Sequence, residues 1–217
     1  MVTNRHVVHG QTAVCIVTAD RQVLPSLVMP ANQSKHQSEL DLALLWLPHS
    51  STGPLMVAAL YRKPVDASSL SVVIASGYPT PLQMHPDGPP YTERSGLLVP
   101  LLSKPLQGGF NLAYTAAVEK GMSGGAVFVG GELIGINGAH ANPLWPGQWK
   151  TQQGKAVDKQ LNDKLELVSL GIAWPTIQSA LKALRPPKAA EQNVLVGLDC
   201  GMPRLPSPIG NASSKVW

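Results

Sequence analysis

Cysteine is scarce in this chain: only Cys15 and Cys200 occur in 217 residues, near opposite ends. Two residues are too few for a fold stapled by several disulfides, and neither a Cys-x-x-Cys pair nor a metal-ligand spacing is present. Separate structural roles are the more expected reading of the two, and a bridge between them the less expected one. Charge is also sparse, at 14%, and the 17 basic and 13 acidic residues are mostly interleaved. The formal charge of +4 therefore gathers into no basic stripe, which argues against nucleic acid as a partner. No apolar run is long enough to span a bilayer, so no transmembrane segment is expected. The first residues, Met1-Val2-Thr3-Asn4-Arg5-His6, lack the apolar core of a secretory signal and leave the compartment unassigned. No internal repeat is visible.

What the chain has in quantity is glycine and proline, 20 of each, set between short apolar runs in a sequence that is 44% hydrophobic. Many short strands joined by turns produce that pattern, so an all-β class is expected. Val2 to Val8 reads as a strand, followed by Ala13 to Val17 and Val23 to Val28. Glu39 to Leu47 is nearly continuous apolar sequence apart from its acids and reads as a buried strand ended by Pro48. Residues 50–66 finish a first half, with a boundary near residue 65, and a second half of strands begins at Leu70 to Gly77. Tyr78 to Pro90 reads as loop. Gly96 to Leu102, Leu112 to Ala117, Ala126 to Val129 and Glu132 to Asn137 read as strands, the last two joined by a Gly130-Gly131 hairpin turn. Lys150 to Lys164 reads as a solvated loop. Pro175 opens a helix whose apolar face is Ile177, Leu181 and Leu184 and which Pro186-Pro187 ends. Residues 186–217 read as a Pro-rich, mostly disordered tail.

Three features carry chemistry. Gly121-Met122-Ser123-Gly124-Gly125 surrounds a serine with residues that allow a tight turn, so that the N–H groups of Gly121 and Ser123 can converge on one point as an oxyanion hole. His6 stands between β-rich pairs in Val2-Thr3-Asn4-Arg5-His6-Val7-Val8. Asp41 stands in an apolar run, where a buried carboxylate is costly unless it accepts hydrogen bonds, as it does when it orients an imidazole. The other histidines, His9, His36, His49, His85 and His140, have no metal-like spacing, and no metal site is expected.

The order His, Asp, Ser is that of chymotrypsin, and the motifs are specific. Val2 to Val8 resembles the histidine motif of bacterial trypsin-like and HtrA-type proteases, Asp41-Leu42-Ala43-Leu44-Leu45 their aspartate motif, and Gly121 to Gly125 their serine motif. Tyr114 to Ser123, followed by Gly135-Ile136-Asn137-Gly138, is similar to trypsin-like peptidase domains common in cyanobacteria. The resemblance covers about residues 1–185. It implies an all-β fold of two six-stranded Greek-key barrels with a C-terminal helix, residues 1–65 forming the first barrel and 66–185 the second. It implies a serine endopeptidase with a catalytic triad of His6, Asp41 and Ser123 and an oxyanion hole of Gly121 and Ser123. Ala117, Asn137 and Gly138 are expected at the substrate pocket, and protein or peptide substrates with no cofactor are implied. Because Ala117 offers no carboxylate, small or medium apolar residues are expected before the cut.

The departures matter as much. Val7 follows the histidine, so the neighbouring disulfide of secreted animal trypsins is absent and the bacterial branch fits better. Animal trypsins mature when a freed amine pairs with an Asp directly before the nucleophile; that position here holds Met122, and no such switch is expected. The peptide-binding modules of HtrA proteins have no counterpart in the roughly 30 residues after the helix. Only five residues precede His6, fewer than the first-barrel strands of the family need, so a truncated first barrel is expected, with export to the periplasm or medium only if an upstream segment carries a signal. A catalytically silent member of the fold that binds a peptide or partner is the alternative. An α/β-type esterase is disfavoured, because it requires Ser before Asp before His.

Overall fold

The computed structural model describes residues 1–18, 20–29, 40–48, 57–61, 71–80, 90–141 and 147–201. Within them the chain forms two antiparallel sheets. The first contains β1 (Val2–Thr3), β2 (Ala13–Val17), β3 (Val23–Met29) and β4 (Ala43–Trp46) in the order β1-β4-β3-β2. Against an expectation of six strands, four are present among the described residues. Apolar residues on β3 and β4 alternate between faces, and Val8, Ala43 and Leu45 pack with Val14, Ile16 and Val28 inside the curl.

The second sheet contains β5 (Val72–Gly77), β6 (Thr92–Leu97), β7 (Leu112–Tyr114), β8 (Ala126–Val129), β9 (Glu132–Ala139) and β10 (Ser169–Ala173), in the order β6-β5-β8-β9-β10-β7. Its two edges meet: the Thr115 N–H donates to the Leu97 carbonyl and the Val99 N–H to that of Ala113, each at 2.9 Å. The sheet therefore closes into a barrel, which removes the unpaired edges that invite association. Val73, Ala75, Leu112, Tyr114, Val127 and Ile134 fill its interior. The β8–β9 turn is made by Gly130 and Gly131, both at positive φ (57° and 81°), as a primed hairpin turn requires. This is the two-barrel, chymotrypsin-like architecture with a C-terminal helix that the motifs imply.

The helices depart from the sequence reading in two places. α2 (Trp174–Ala183) is as expected and buries Ile177 and Ala180. The Lys150 to Lys164 stretch is not wholly a solvated loop, because it enters α1 (Lys159–Leu165), capped by Asp158 accepting from the Leu161 N–H and burying Leu165. Where a mostly disordered tail is expected after residue 186, the described residues contain α3 (Ala189–Gln192) and a 3-10 turn, Asn193–Leu195. Cys200 there is bridged to Cys15 of β2 with Cα atoms 5.6 Å apart, which corrects the reading of the cysteines as separate. Strand bounds also shift: Glu39 to Leu47 is a strand only over Ala43–Trp46, and Leu112 to Ala117 only over Leu112–Tyr114. Val2 to Val8 splits into β1 and a one-turn 3-10 helix, Arg5–Val8. The Gly96 to Leu102 strand begins and ends earlier, as β6. The boundary near residue 65, most of the loop from Tyr78 to Pro90 and the last residues of the tail lie outside the described residues.

The bridge closes a separation of 185 residues, and for so long a loop the chain-entropy effect approaches about 5 kcal/mol. Cys15→Ser with Cys200→Ser, or reduction with dithiothreitol, is therefore expected to lower unfolding stability by about 2 to 5 kcal/mol in a urea titration. An unchanged midpoint would mean that the terminal segment holds its place without the bond.

Candidate active site

His6 lies in the 3-10 turn, not within a strand as the sequence suggests. Asn4 precedes that turn in extended conformation, fully buried, and its side-chain Nδ2 donates to the Asp41 carbonyl at 2.9 Å. This tie lays the two segments side by side. The Asp41 carboxylate then grips His6 twice: Oδ1 accepts from the His6 backbone N–H at 2.9 Å, and Oδ2 lies 2.7 Å from ring Nδ1. An ionised carboxylate can only accept, so this contact places the ring proton on Nδ1 and leaves Nε2 with its lone pair. The His6 side chain is 52% exposed and that of Asp41 17%. A pair so open to water adds little to stability; its effect is orientation.

Asp41 reaches this place by alternation. Leu40, Leu42 and Leu44 point into the cluster that also holds Phe110, Ile136 and Ile172, while Ala43 and Leu45 point the other way, toward Val8. Asp41 is in phase with the second set. The Asp41 N–H donates to the Gly108 carbonyl at 2.9 Å, which anchors it to the second half.

Ser123 sits in the loop before β8, partly buried, and its Oγ donates to the Gly138 carbonyl at 3.4 Å. No hydrogen bond joins it to His6 among the described residues. The two segments are nonetheless adjacent, since a Cβ on Gly124 would fall 2.2 Å from Thr3 Oγ1 and 3.0 Å from Thr3 Cα. Gly121 has φ +97°, and a Cβ there would meet Thr80 N at 2.5 Å and the Tyr78 carbonyl at 2.7 Å. Only glycine fits this position. The N–H groups of Gly121 and Ser123 find no acceptor among the described residues, whereas those of Met122, Gly124 and Gly125 are all bonded within the fold.

The pocket expectations fare unevenly. Ala117 is exposed, and the chain on either side of it is pinned by Ser169, whose Oγ donates to the Ala116 carbonyl at 2.8 Å and accepts from the Val118 N–H at 3.3 Å. Gly138 presents its carbonyl to Ser123 and packs on Phe110. Asn137 is corrected: it is fully buried, and its side chain points beneath the loop from Gly121 to Gly125 instead of into a pocket. Tyr114, to which it bonds, carries no local signal that singles it out in the sequence. Among the described residues no cluster of His, Cys, Asp and Glu could hold a metal ion. His9 and His140 are exposed, with His140 Nδ1 2.9 Å from the Ala141 carbonyl. The remaining histidines lie outside the described residues.

Comparison with known proteins gives the family and the fold. The trypsin-like peptidase domain profile matches residues 1–136, and the chain belongs to that family. Among solved structures, the HtrA-type protease AlgW with a tripeptide superposes with a TM-score of 0.56 at 20% identity over 84% of this chain and 50% of that one. The serine endoprotease from Yersinia pestis gives 0.53 at 21% identity, over 83% of this chain and 52% of that one. At such identities the likeness is one of fold, and the chain spans about half the length of these proteins. No curated protein matches the sequence.

Gly121→Ala is expected to cost about 1 to 3 kcal/mol through strain and collision with backbone atoms. Gly130→Ala, at a positive φ but in open space, is expected to cost less. Thermal melts of the two variants check this; equal losses would show that the contact around Gly121 can relax.

Proposed function

We propose that the chain is the catalytic domain of a serine endopeptidase, with Ser123 as nucleophile, His6 as general base and then acid, and Asp41 as the group that orients His6. The observation that carries this reading is the two-point grip of the Asp41 carboxylate on His6, which leaves Nε2 as the free basic nitrogen. In the reaction Ser123 Oγ gives up its contact with Gly138 and forms a bond to the scissile carbonyl carbon while its proton passes to His6 Nε2. The carbonyl oxygen gains the negative charge, and the N–H groups of Gly121 and Ser123 are the donors for it. Each such donor is worth about 2.7 to 4 kcal/mol in the transition state. His6 then protonates the leaving amine as the C–N bond breaks, and water repeats the sequence on the acyl-enzyme. In a free enzyme the nucleophile and its base need not be hydrogen-bonded, because catalytic hydrogen bonds tighten when substrate binds.

Protein or peptide substrates follow from the family. A free backbone N–H pair beside an extended β9 suits a main-chain ligand, and Ala117 carries no charge to favour Lys or Arg before the cut. The catalytically silent alternative is served by one observation, that Ser123 Oγ is turned to Gly138, and the same experiment separates the two.

A fluorophosphonate probe is expected to label the wild-type chain and not Ser123→Ala. Asp41→Asn is expected to lower kcat by about 10⁴-fold with the fold intact, because the wrong ring nitrogen would then carry the proton. A peptide-library profile is expected to favour small or medium apolar residues before the cleaved bond. Labelling that survives in Ser123→Ala would place the nucleophile elsewhere; cleavage mainly after basic residues would remove the inference about Ala117; no labelling of the wild type would favour the silent reading.

A further inference from the structure

We propose that Asn137, set in place by Tyr114, is a positioning residue that fixes the Met122–Ser123 peptide so that the Ser123 N–H faces outward as an oxyanion donor. The proposal rests on the reading of Ser123 as the nucleophile. A trans peptide is planar, with its C=O and N–H pointing in opposite directions, so whatever holds the Met122 carbonyl also aims the Ser123 N–H. That carbonyl accepts from Asn137 Nδ2 at 3.2 Å and from the Gly125 N–H at 3.0 Å. The Ser123 N–H, at the opposite edge of the same peptide, takes no acceptor among the described residues.

The orientation of the Asn137 amide is itself determined. Nδ2 also donates to the Ser76 carbonyl at 2.8 Å, and Oδ1 accepts from the Tyr114 hydroxyl at 2.8 Å. Turning the amide over would set its oxygen against two carbonyls, leaving buried acceptors facing one another. Tyr114 is fully buried within the barrel and burial pushes its phenol well above the ordinary range, so it remains a donor. The main chain of Asn137 adds two further ties to the same loop: its carbonyl accepts from the Gly124 N–H at 3.0 Å and its N–H donates to the Gly125 carbonyl at 2.8 Å. The loop is thus held by a neutral buried network, while the side chain next to the nucleophile, Met122, is itself buried and makes no ion pair. The network joins β5, β7 and β9 under one turn, and such satisfied networks are strongly specifying because every partner is needed.

The test uses Asn137→Ser, which is too short to span the donor sites, and Tyr114→Phe, which removes only the hydroxyl. In the full chain carrying Ser123→Ala, residual dipolar couplings report the direction of the amide at position 123 without any need for activity. Adding Asn137→Ser is expected to reorient or broaden that amide, and adding Tyr114→Phe to do so less. With Ser123 intact, Asn137→Ser is expected to lower kcat by about 10²-fold, the scale of one lost oxyanion donor, with KM within about twofold. A folded Asn137→Ser chain whose amide vector at 123 is unchanged would overturn the proposal, as would wild-type kcat in that variant. If Asn137→Ser does not fold, Tyr114→Phe takes its place: a shifted amide and a lowered kcat support the proposal, and an unchanged amide or wild-type kcat overturns it. Failure of the wild type to label with a fluorophosphonate would strike at the reading of Ser123 alone, since the couplings still decide where the peptide points.

Discussion

The arrangement depends on a two-residue alternation from Leu40 to Leu45. Leu40, Leu42 and Leu44 are almost wholly buried in the seam between the first sheet and the barrel, and Ala43 and Leu45 are buried in the first sheet's own interior. Each such leucine contributes about 1.5 to 3 kcal/mol by leaving water. An ion pair half open to solvent contributes about 1 kcal/mol or less. Packing therefore decides where this segment lies, and the His6–Asp41 contact follows from it. A slip of one residue would turn Asp41 into the seam and a leucine toward His6.

The two halves of the site are built on different physics. On the His6 side, charge does the orienting: a carboxylate with two oxygens accepts from one backbone N–H and one ring nitrogen of the same residue. On the Ser123 side, the turn is set by sterics at Gly121 and by neutral hydrogen bonds from below. The contact of Gly124 with Thr3 brings these parts together, and Thr3 belongs to the same short segment that leads into His6. The terminal segment, bridged from Cys200 to Cys15 on β2, lies beside Pro25 and Trp46 of the first sheet.

Much of this is legible in the sequence because it rests on local rules. The Gly130-Gly131 turn, the helix opened by Pro175 and the Gly-rich loop around Ser123 each follow from backbone preferences of the residues themselves. The parts that are not legible are long-range. Nothing near Cys15 or Cys200 signals that α3 brings them within bonding distance. Asn137 reads as a polar residue at the end of a strand, and only the closed barrel, with Tyr114 and Ser76 beneath the turn, shows it as an interior donor. His6 reads as part of a strand because Val2, Val7 and Val8 are β-branched, yet the ties from Asn4 and Asp41 hold a 3-10 turn there. The helix over Lys159–Leu165 does carry a local signal, Asp158 as N-cap with Leu161 and Leu165 four apart, that the alternating charges of the stretch obscure.

The central claim is that His6, Asp41 and Ser123 act on one substrate carbonyl with the Gly121 and Ser123 N–H groups as its oxyanion donors. A crystal structure of the chain with a peptidyl boronic acid tests it most directly, because boron becomes tetrahedral on the attacking oxygen and reproduces the charge of the intermediate. The expected result is boron bonded to Ser123 Oγ, one boronate oxygen between the N–H groups of Gly121 and Ser123, and the other facing His6 Nε2. Boron on another residue, or an adduct on Ser123 whose oxygens meet neither N–H group, would contradict it.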